Sequence, residues 1–163
     1  FYNNYGEFFP LFKSIIRLCN EGRRGEISMA GRCLSKIVRL VPNFMINYIA
    51  SDEEVMEALS IDLDILEGIS DLSYITILSD LLDINDDKLA KSIIKAFFCI
   101  AKRFDDMDQM HEFRETCASY NIEYRVNAIT DNTEDHKLYD IGDYFVLCAF
   151  GVLPFEEAKI EIK

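Results

Sequence analysis

The apolar residues of residues 86–104, DDKLAKSIIKAFFCIAKRF, fall into two adjacent helical columns. One holds Leu89, Ile93, Phe97, Ile100 and Phe104, the other Ala90, Ile94, Phe98 and Ala101. Steps of three and four residues set each column along one side of a helix. Two columns together make a face too wide for a single neighbour, so this helix is expected to be clasped between several. Lys88, Lys91, Lys95 and Lys102 occupy its opposite side.

The same periodicity predicts helices along the rest of the chain. Residues 8–20 form one, with Pro10 in the first turn, where a missing N–H is harmless. After a turn at 21–25, a longer helix runs over 26–41 with Ile27, Ala30, Leu34, Ile37, Val38 and Val41 inward, and Pro42 stops it. Residues 44–49 are a short apolar helical piece. Ser51, with Glu54 three residues on, predicts a capped helix through Leu59. Residues 61–69 include the alternating IDLDI, but a lone strand would have no partner, so helix is expected there too. Asp71 is the expected cap of a helix over 72–82, and a further helix spans 109–120. Residues 121–134 are less regular: IEYRV fits a short strand or a helix, and Thr133 is the expected cap of a last long helix over 136–152.

Composition narrows the class. The 163 residues are one domain's worth of chain, and half are apolar, which argues against disorder. Seven Gly and three Pro are too few for a turn-rich β-sandwich. No apolar run reaches the roughly eighteen residues of a membrane span. The chain opens on Phe1, which suggests a piece of a longer protein. Cys19, Cys33, Cys99, Cys117 and Cys148 are scattered through apolar segments without a C-x-x-C pair, and no N-x-S/T sequon occurs. They read as reduced core residues in a cytoplasmic or nuclear protein.

The net charge of −12 is unevenly spread. Residues 1–50 and 88–104 carry net charges of +4 and +5, whereas 51–87 and 105–163 carry −12 and −9. Bulk acidity argues against general nucleic-acid binding.

No spacing in the chain carries a catalytic or metal signature. His111 and Cys117 stand six residues apart, off the helical steps that would pair them. Asp83-x-Asn85-x-Asp87 and Asp106-x-Asp108 begin like calcium loops but lack the required Gly and final Glu. There is no P-loop, G-x-G-x-x-G, G-x-S-x-G or H-E-x-x-H. The expectation is a binding protein, not an enzyme, with no metal and no cofactor.

A unit of short helix, polar turn and long apolar helix recurs at 8–41, 72–104 and 109–152. Shifting by 60 residues lays Ala30, Leu34, Ile37 and Val38 on Ala90, Ile94, Phe97 and Phe98. Shifting by 49 lays KLAKSIIKAFFCIAKRF on KLYDIGDYFVLCAFGVL, joining Leu89 to Leu138 and Cys99 to Cys148. Such units cannot bury their faces alone and must stack. A compact helical bundle shows similar stripes and stays open as the alternative.

The stretch AGRCLSKIV at 30–38 resembles the last helix of an armadillo repeat, and the order of short, medium and long helix over 51–104 is similar to that family's unit, with HEAT repeats its near relative. The resemblance covers most of the chain. It implies an all-α, right-handed helical-repeat superhelix of about three units, with residues 1–163 one domain cut from a longer solenoid. It also implies a protein-interaction scaffold or adaptor that binds a partner along its long helices. The alternative is a compact regulatory or assembly subunit without a groove. In import receptors of this family, Trp and Asn ladders line the groove. Here the Trp positions are Arg32, Ser92 and Ile141, and the Asn positions Lys36, Ala96 and Phe145. Arg32 and Lys36 would repel a basic signal.

Arg32, Lys36 and Arg39 make one basic stripe, and Lys91, Lys95, Lys102 and the adjacent Arg103 a second. If the stripes adjoin, the expected partner is a protein segment, acidic or phosphorylated, with Arg supplying bidentate contacts and Lys point charges. The competing expectation is that these side chains snorkel or pair with acidic residues 51–87. Ends cut from a solenoid should also show apolar surface, at Phe8, Phe9 and Phe12 and at Phe150, Val152 and Phe155.

Overall fold

The computed structural model describes residues 5–49, 51–59, 70–156 and 159. Among them the regular structure is entirely helical. The helices are α1 (Tyr5–Glu21), α2 (Arg24–Leu40), α3 (Ile46–Ile49), α4 (Glu53–Ala58), α5 (Ser73–Leu81), α6 (Asp87–Asp106), α7 (Met110–Ser119), α8 (Ile122–Asn132) and α9 (His136–Ala149). The helix expected over 61–69 lies outside the described residues.

α6 is the hub. It packs against α2, α5, α7 and α9, and every residue of its two apolar columns is buried. Ala96 and Cys99 are buried as well, so eleven of its twenty residues are out of water, far more than a helix on one partner hides. Asp86 caps it, accepting the Leu89 N–H at 3.1 Å. Phe97 meets Phe145 of α9 with ring centroids 6.1 Å apart, and Phe98 stacks on Tyr144 at 5.8 Å.

The three long helices α2, α6 and α9 lie side by side and run parallel. At the start of α2, Arg24 donates to the Asn85 carbonyl at 2.8 Å and the Ser28 hydroxyl to Asp86. At its end, the Val38 carbonyl accepts from Arg103, late in α6, at 2.9 Å. Between α6 and α9, Lys91 reaches Asp135 at the start of α9, and Phe97 meets Phe145 further on. Parallel neighbours require a crossover each time, made by α3–α5 and then by α7–α8. The other helices pack behind: α1 and α5 on α2, α8 on α9.

Two close approaches use glycine. A Cβ at Gly31 would stand 2.7 Å from Leu81 and 2.8 Å from Leu89, where α2 meets α5 and α6. A Cβ at Gly142 would stand 2.4 Å from Thr130 Cγ2, where α9 meets α8.

Several local expectations are corrected. α1 begins a turn early, so Pro10 falls in its second turn and leaves the Gly6 carbonyl without its usual donor. Asp52, not Ser51, caps α4 by accepting the Val55 N–H, while Ser51 turns back to the Tyr48 carbonyl. Asp71 does not cap α5: its carboxylate accepts from the Asn43 N–H and from Arg103. Of the two readings open for IEYRV the helix holds: residues 122–132 are helical, started by a left-handed Asn121 (φ 54°) and held by Ile122, Val126 and Thr130 on one buried side. Asp135, not Thr133, caps α9. Of the apolar residues expected at the ends, Phe8 and Val152 are exposed and Phe9, Phe150 and Phe155 half-buried, while Phe12 is buried against Phe44 and Tyr74 and Phe155 lies on Phe98.

Truncating Phe97 or Phe98 to Ala should cost roughly 3–5 kcal/mol in denaturant melts, since both are fully buried at the centre of the core. A loss below about 1 kcal/mol would show that α6 is peripheral. Gly142→Ala should destabilise by about 1–3 kcal/mol despite Ala's better helix propensity, because stiff, buried Thr130 cannot move aside. A gain in melting temperature would contradict that close approach.

Candidate functional site

α2, α6 and α9 present their polar sides to one open cleft of about 860 Å³. α2 contributes Met29, Arg32, Cys33, Lys36 and Arg39. α6 adds Lys88, Lys91, Ser92 and Lys95, and α9 adds Lys137, Asp140 and Ile141. Lys159 completes the lining, and α1, α5, α7 and α8 supply no residue to it. Among the described residues eight cations and one carboxylate thus line the cleft, on a chain whose net charge is −12.

The geometry follows from the helix pattern. On each long helix the apolar columns point toward the supporting helices, and steps of three and four bring the lysines and arginines to the other side. Because the helices are parallel neighbours, the stripes become adjacent.

Of the residues predicted from sequence, Arg32, Lys36, Arg39, Lys91 and Lys95 line the cleft together. Lys102 and Arg103 do not. Lys102 pairs with Asp106 one turn on, at 3.0 Å. Arg103 turns inward: it donates to the Val38 and Arg39 carbonyls at the end of α2 and to Asp71 at 3.0 Å. It fastens α2 and α6 together and satisfies carbonyls that the helix terminus leaves open. The expectation that the cations pair with residues 51–87 holds for Arg103 with Asp71, and Arg32 lies near enough to Asp86 to act on its carboxyl.

Lys91 is held by Asp135 at 2.9 Å, and that hydrogen bond keeps the Asp135 carboxyl below its ordinary range. The Ser28 hydroxyl does the same for Asp86, with a smaller contribution from Arg32 nearby. Among the described residues, Arg32, Lys36, Lys88 and Lys137 form no ion pair. Arg39 leaves its Nε buried with no hydrogen-bond partner.

The sequence reading overlooked Lys137 and Lys159, and did not carry Lys88 into the site. Lys88 and Lys137 are the first residues of the KLAKS and KLYDI stretches that a shift of 49 aligns, so that alignment held the signal. Cys33 also departs from expectation: it is exposed in the cleft, while Cys19, Cys99, Cys117 and Cys148 are buried. Burial pushes the Cys19 and Cys117 thiols up to about 12, which leaves them unreactive. His111 stays on the surface beside Glu115 and away from Cys117. Among the described residues no group of His, Cys, Asp and Glu is placed to hold a metal ion, and no helix is long and apolar enough to cross a membrane. No protein family, no curated protein and no solved structure matches the chain.

Asp71 gives a test of the Arg103 clamp. Burial pushes its carboxyl above the ordinary value of 3.8, outweighing the attraction of Arg103. A raised carboxyl favours the folded state below its unfolded pKa, and that contribution is lost as pH rises through the folded value. Relative to Asp71→Asn, the wild type should therefore lose stability as pH rises from about 3.8 toward neutrality, measured by thermal melts across that range. The opposite slope would mean that the Arg103 attraction dominates. Arg103→Ala should destabilise by about 3–5 kcal/mol, since it strands Asp71 unpaired in the core.

Proposed function

We propose that this chain is a helical-repeat scaffold of armadillo/HEAT type that holds an acidic or phosphorylated protein segment in the cleft between α2, α6 and α9. The observation that carries this reading is the gathering, among the described residues, of eight cations on one open surface of an acidic chain. A concave surface of one sign focuses the field and draws oppositely charged ligands to it. The reading is one of binding without catalysis, with a protein partner, no nucleic acid, and a reducing compartment, cytoplasm or nucleus.

Two features support the repeat architecture over a bundle. Simple up-and-down bundles alternate the direction of neighbouring helices, whereas α2, α6 and α9 are parallel neighbours joined by helical crossovers. The positions that the armadillo resemblance assigns to the Trp ladder, Arg32, Ser92 and Ile141, all line the cleft. The Asn-ladder positions differ: Lys36 lines it, while Ala96 and Phe145 are fully buried.

The test reverses charge on α2. Arg32 and Lys36 are exposed and unpaired among the described residues, so Arg32→Glu with Lys36→Glu should shift stability by only about 0.5 kcal/mol. Capture of defined acidic and phosphorylated peptides from a bead library should fall about tenfold or more, and wild-type capture should weaken with added salt. Equal capture by a folded double variant would remove the cleft from the function.

A further inference from the structure

We propose that α1 and α2 together dock an amphipathic helix of the partner, one with an apolar side and an acidic flank. The inference rests on the scaffold reading above and names the form of its acidic segment. Both helices already bury a full apolar side, with Phe12, Ile16 and Cys19 on α1 and Ala30, Leu34 and Val38 on α2. They carry a second apolar surface that nothing covers: Leu11 is 57% exposed, Leu40 59% and Met29 73%. Phe8 and Leu18 are exposed on the same side of α1 as Leu11, at steps of three and seven residues. Contiguous open apolar surface beside charge marks a contact site.

α1 and α2 pack antiparallel across the turn at Gly22 and Arg23, so the two open rows lie along one seam. Lys13 and Arg17 take another side of α1 to α4, where they reach Asp52 and Glu54. That leaves Leu11 and Leu18 on the side next to the cleft face of α2. On α2, Cys33 borders the seam, close enough to Cys19 of α1 to raise its pKa, with Met29 and Leu40 beside it. Exposed Glu7 and Glu21, two turns either side of Ser14, edge the strip on the far side of α1. Arg32, Lys36 and Arg39 edge it on α2. Across the surface, an acidic margin, an apolar strip and a basic margin follow one another.

The spacing fits a helix. Met29, Cys33 and Leu40 follow steps of four and seven residues, whole turns of about 5.4 Å over a length of about 16 Å. A helix laid beside α2 has the same pitch and meets it at every turn, with anchors at i, i+4, i+7 and i+11. An extended chain returns to one face about every 6.7 Å and loses step by the third contact. Arg32, Lys36 and Arg39 keep the turns of α2 as well, so carboxylates along one flank of the ligand helix meet them in register. A lipid surface fits less well, because its anionic headgroups would lie on Glu7 and Glu21 as well as on the cations of α2. A helix has two different flanks and can oppose each margin with the opposite charge.

The experiment uses the full chain and a fluorescein-labelled peptide of about sixteen residues, followed by anisotropy at physiological salt. The peptide carries Leu at i, i+4, i+7 and i+11, Glu along one flank and Lys along the other, on an Ala background. Three relatives each change one feature: the flank Glu become Gln, the Leu become Ser, or a central Ala becomes Pro and breaks the helix. The parent should bind about tenfold or more tighter than each of them. Leu11→Gln and Met29→Gln, both exposed, should each weaken it about threefold or more with melting unchanged. Leu11 lies outside the lining of the cleft, so an acidic segment held by the cleft alone would be indifferent to that change. Any relative binding as tightly as the parent, or a folded Leu11→Gln binding like the wild type, would overturn this inference. The scaffold reading would stand if the acidic library were still captured. Sedimentation with vesicles of phosphatidylserine and phosphatidylcholine, lost in Leu11→Gln, would give the strip to a lipid surface and overturn the helix. A concentration-dependent dimer in sedimentation velocity, lost in the same variant, would give it to a second copy and overturn the helix equally. If no peptide binds a folded chain, this inference fails, and the scaffold reading fails with it only if the acidic library is also not captured.

Discussion

Burial of the two-column face of α6 is the constraint on which the structure turns. Leu89, Ile93, Ile94, Phe97, Phe98, Ile100 and Ala101 are all out of water, and no single neighbour can cover that width. α2 and α9 must therefore close on it from either side, with α5 and α7 behind. Interiors of this density tolerate little slack. The registers of α2 and α9 against α6 are then fixed by Gly31 meeting Leu89 and by Phe97 meeting Phe145. The polar sides follow passively. Once three amphipathic helices bury their apolar faces as parallel neighbours, their cationic stripes have to come together, and the cleft is the reverse side of the core.

The Arg103 clamp shows why two adjacent cations on one helix have different fates. Lys102 and Arg103 are one residue apart, about 100° around the helix. That rotation leaves Lys102 at the surface beside Asp106 and turns Arg103 toward the end of α2, where open carbonyls need a donor. A planar guanidinium can serve two carbonyls and a carboxylate at once, and a lysine could not reproduce that fork. Asp71 joins the same clamp to the left-handed turn at Asn43, tying the crossover after α2 to the hub. The clamp leaves the Arg39 side chain on the cleft side while its carbonyl is held from the core side.

The all-α class and the core of α6 were legible because periodicity reports which side of a helix is apolar, and every residue of both columns is buried. The stripes of α2 and α6 were legible for the same reason. Caps were not: Ser51 and Asp52 are adjacent, each a competent cap, and tertiary contact with Lys13 selects Asp52. Asp71 looked like a cap because its carboxylate suits one, but the half-buried Arg103 offers it a charged partner in place of the first N–H groups of α5. IEYRV was ambiguous because five residues are too few to separate a period of 2 from one of 3.6, and the decisive residue, Thr130, lies beyond them. Cys33 was misread as core since a lone small apolar residue fits either side of a stripe. Arg103 was misassigned because facial position alone does not reveal where another helix ends.

Lys88 and Lys137 bear most directly on whether the cleft is more than a by-product of packing. Each is the second residue of its helix, α6 and α9, where the helix dipole and open N–H groups favour anions. A cation there is unfavourable by about 0.3–1 kcal/mol, and an exposed lysine free of ion pairs recovers little of it. Stability alone would place Glu or Asp at both positions, as it places Asp86 and Asp135 at the two caps just before them. The same local rule is broken at the same turn of two aligned helices, with both side chains on one cleft. Departures from local preference that converge on one surface are what the proposed binding role would require of that surface. On that proposal, the unfavourable interaction with the dipole is offset when an anion binds, because the lysines and the positive helix ends then act on it together.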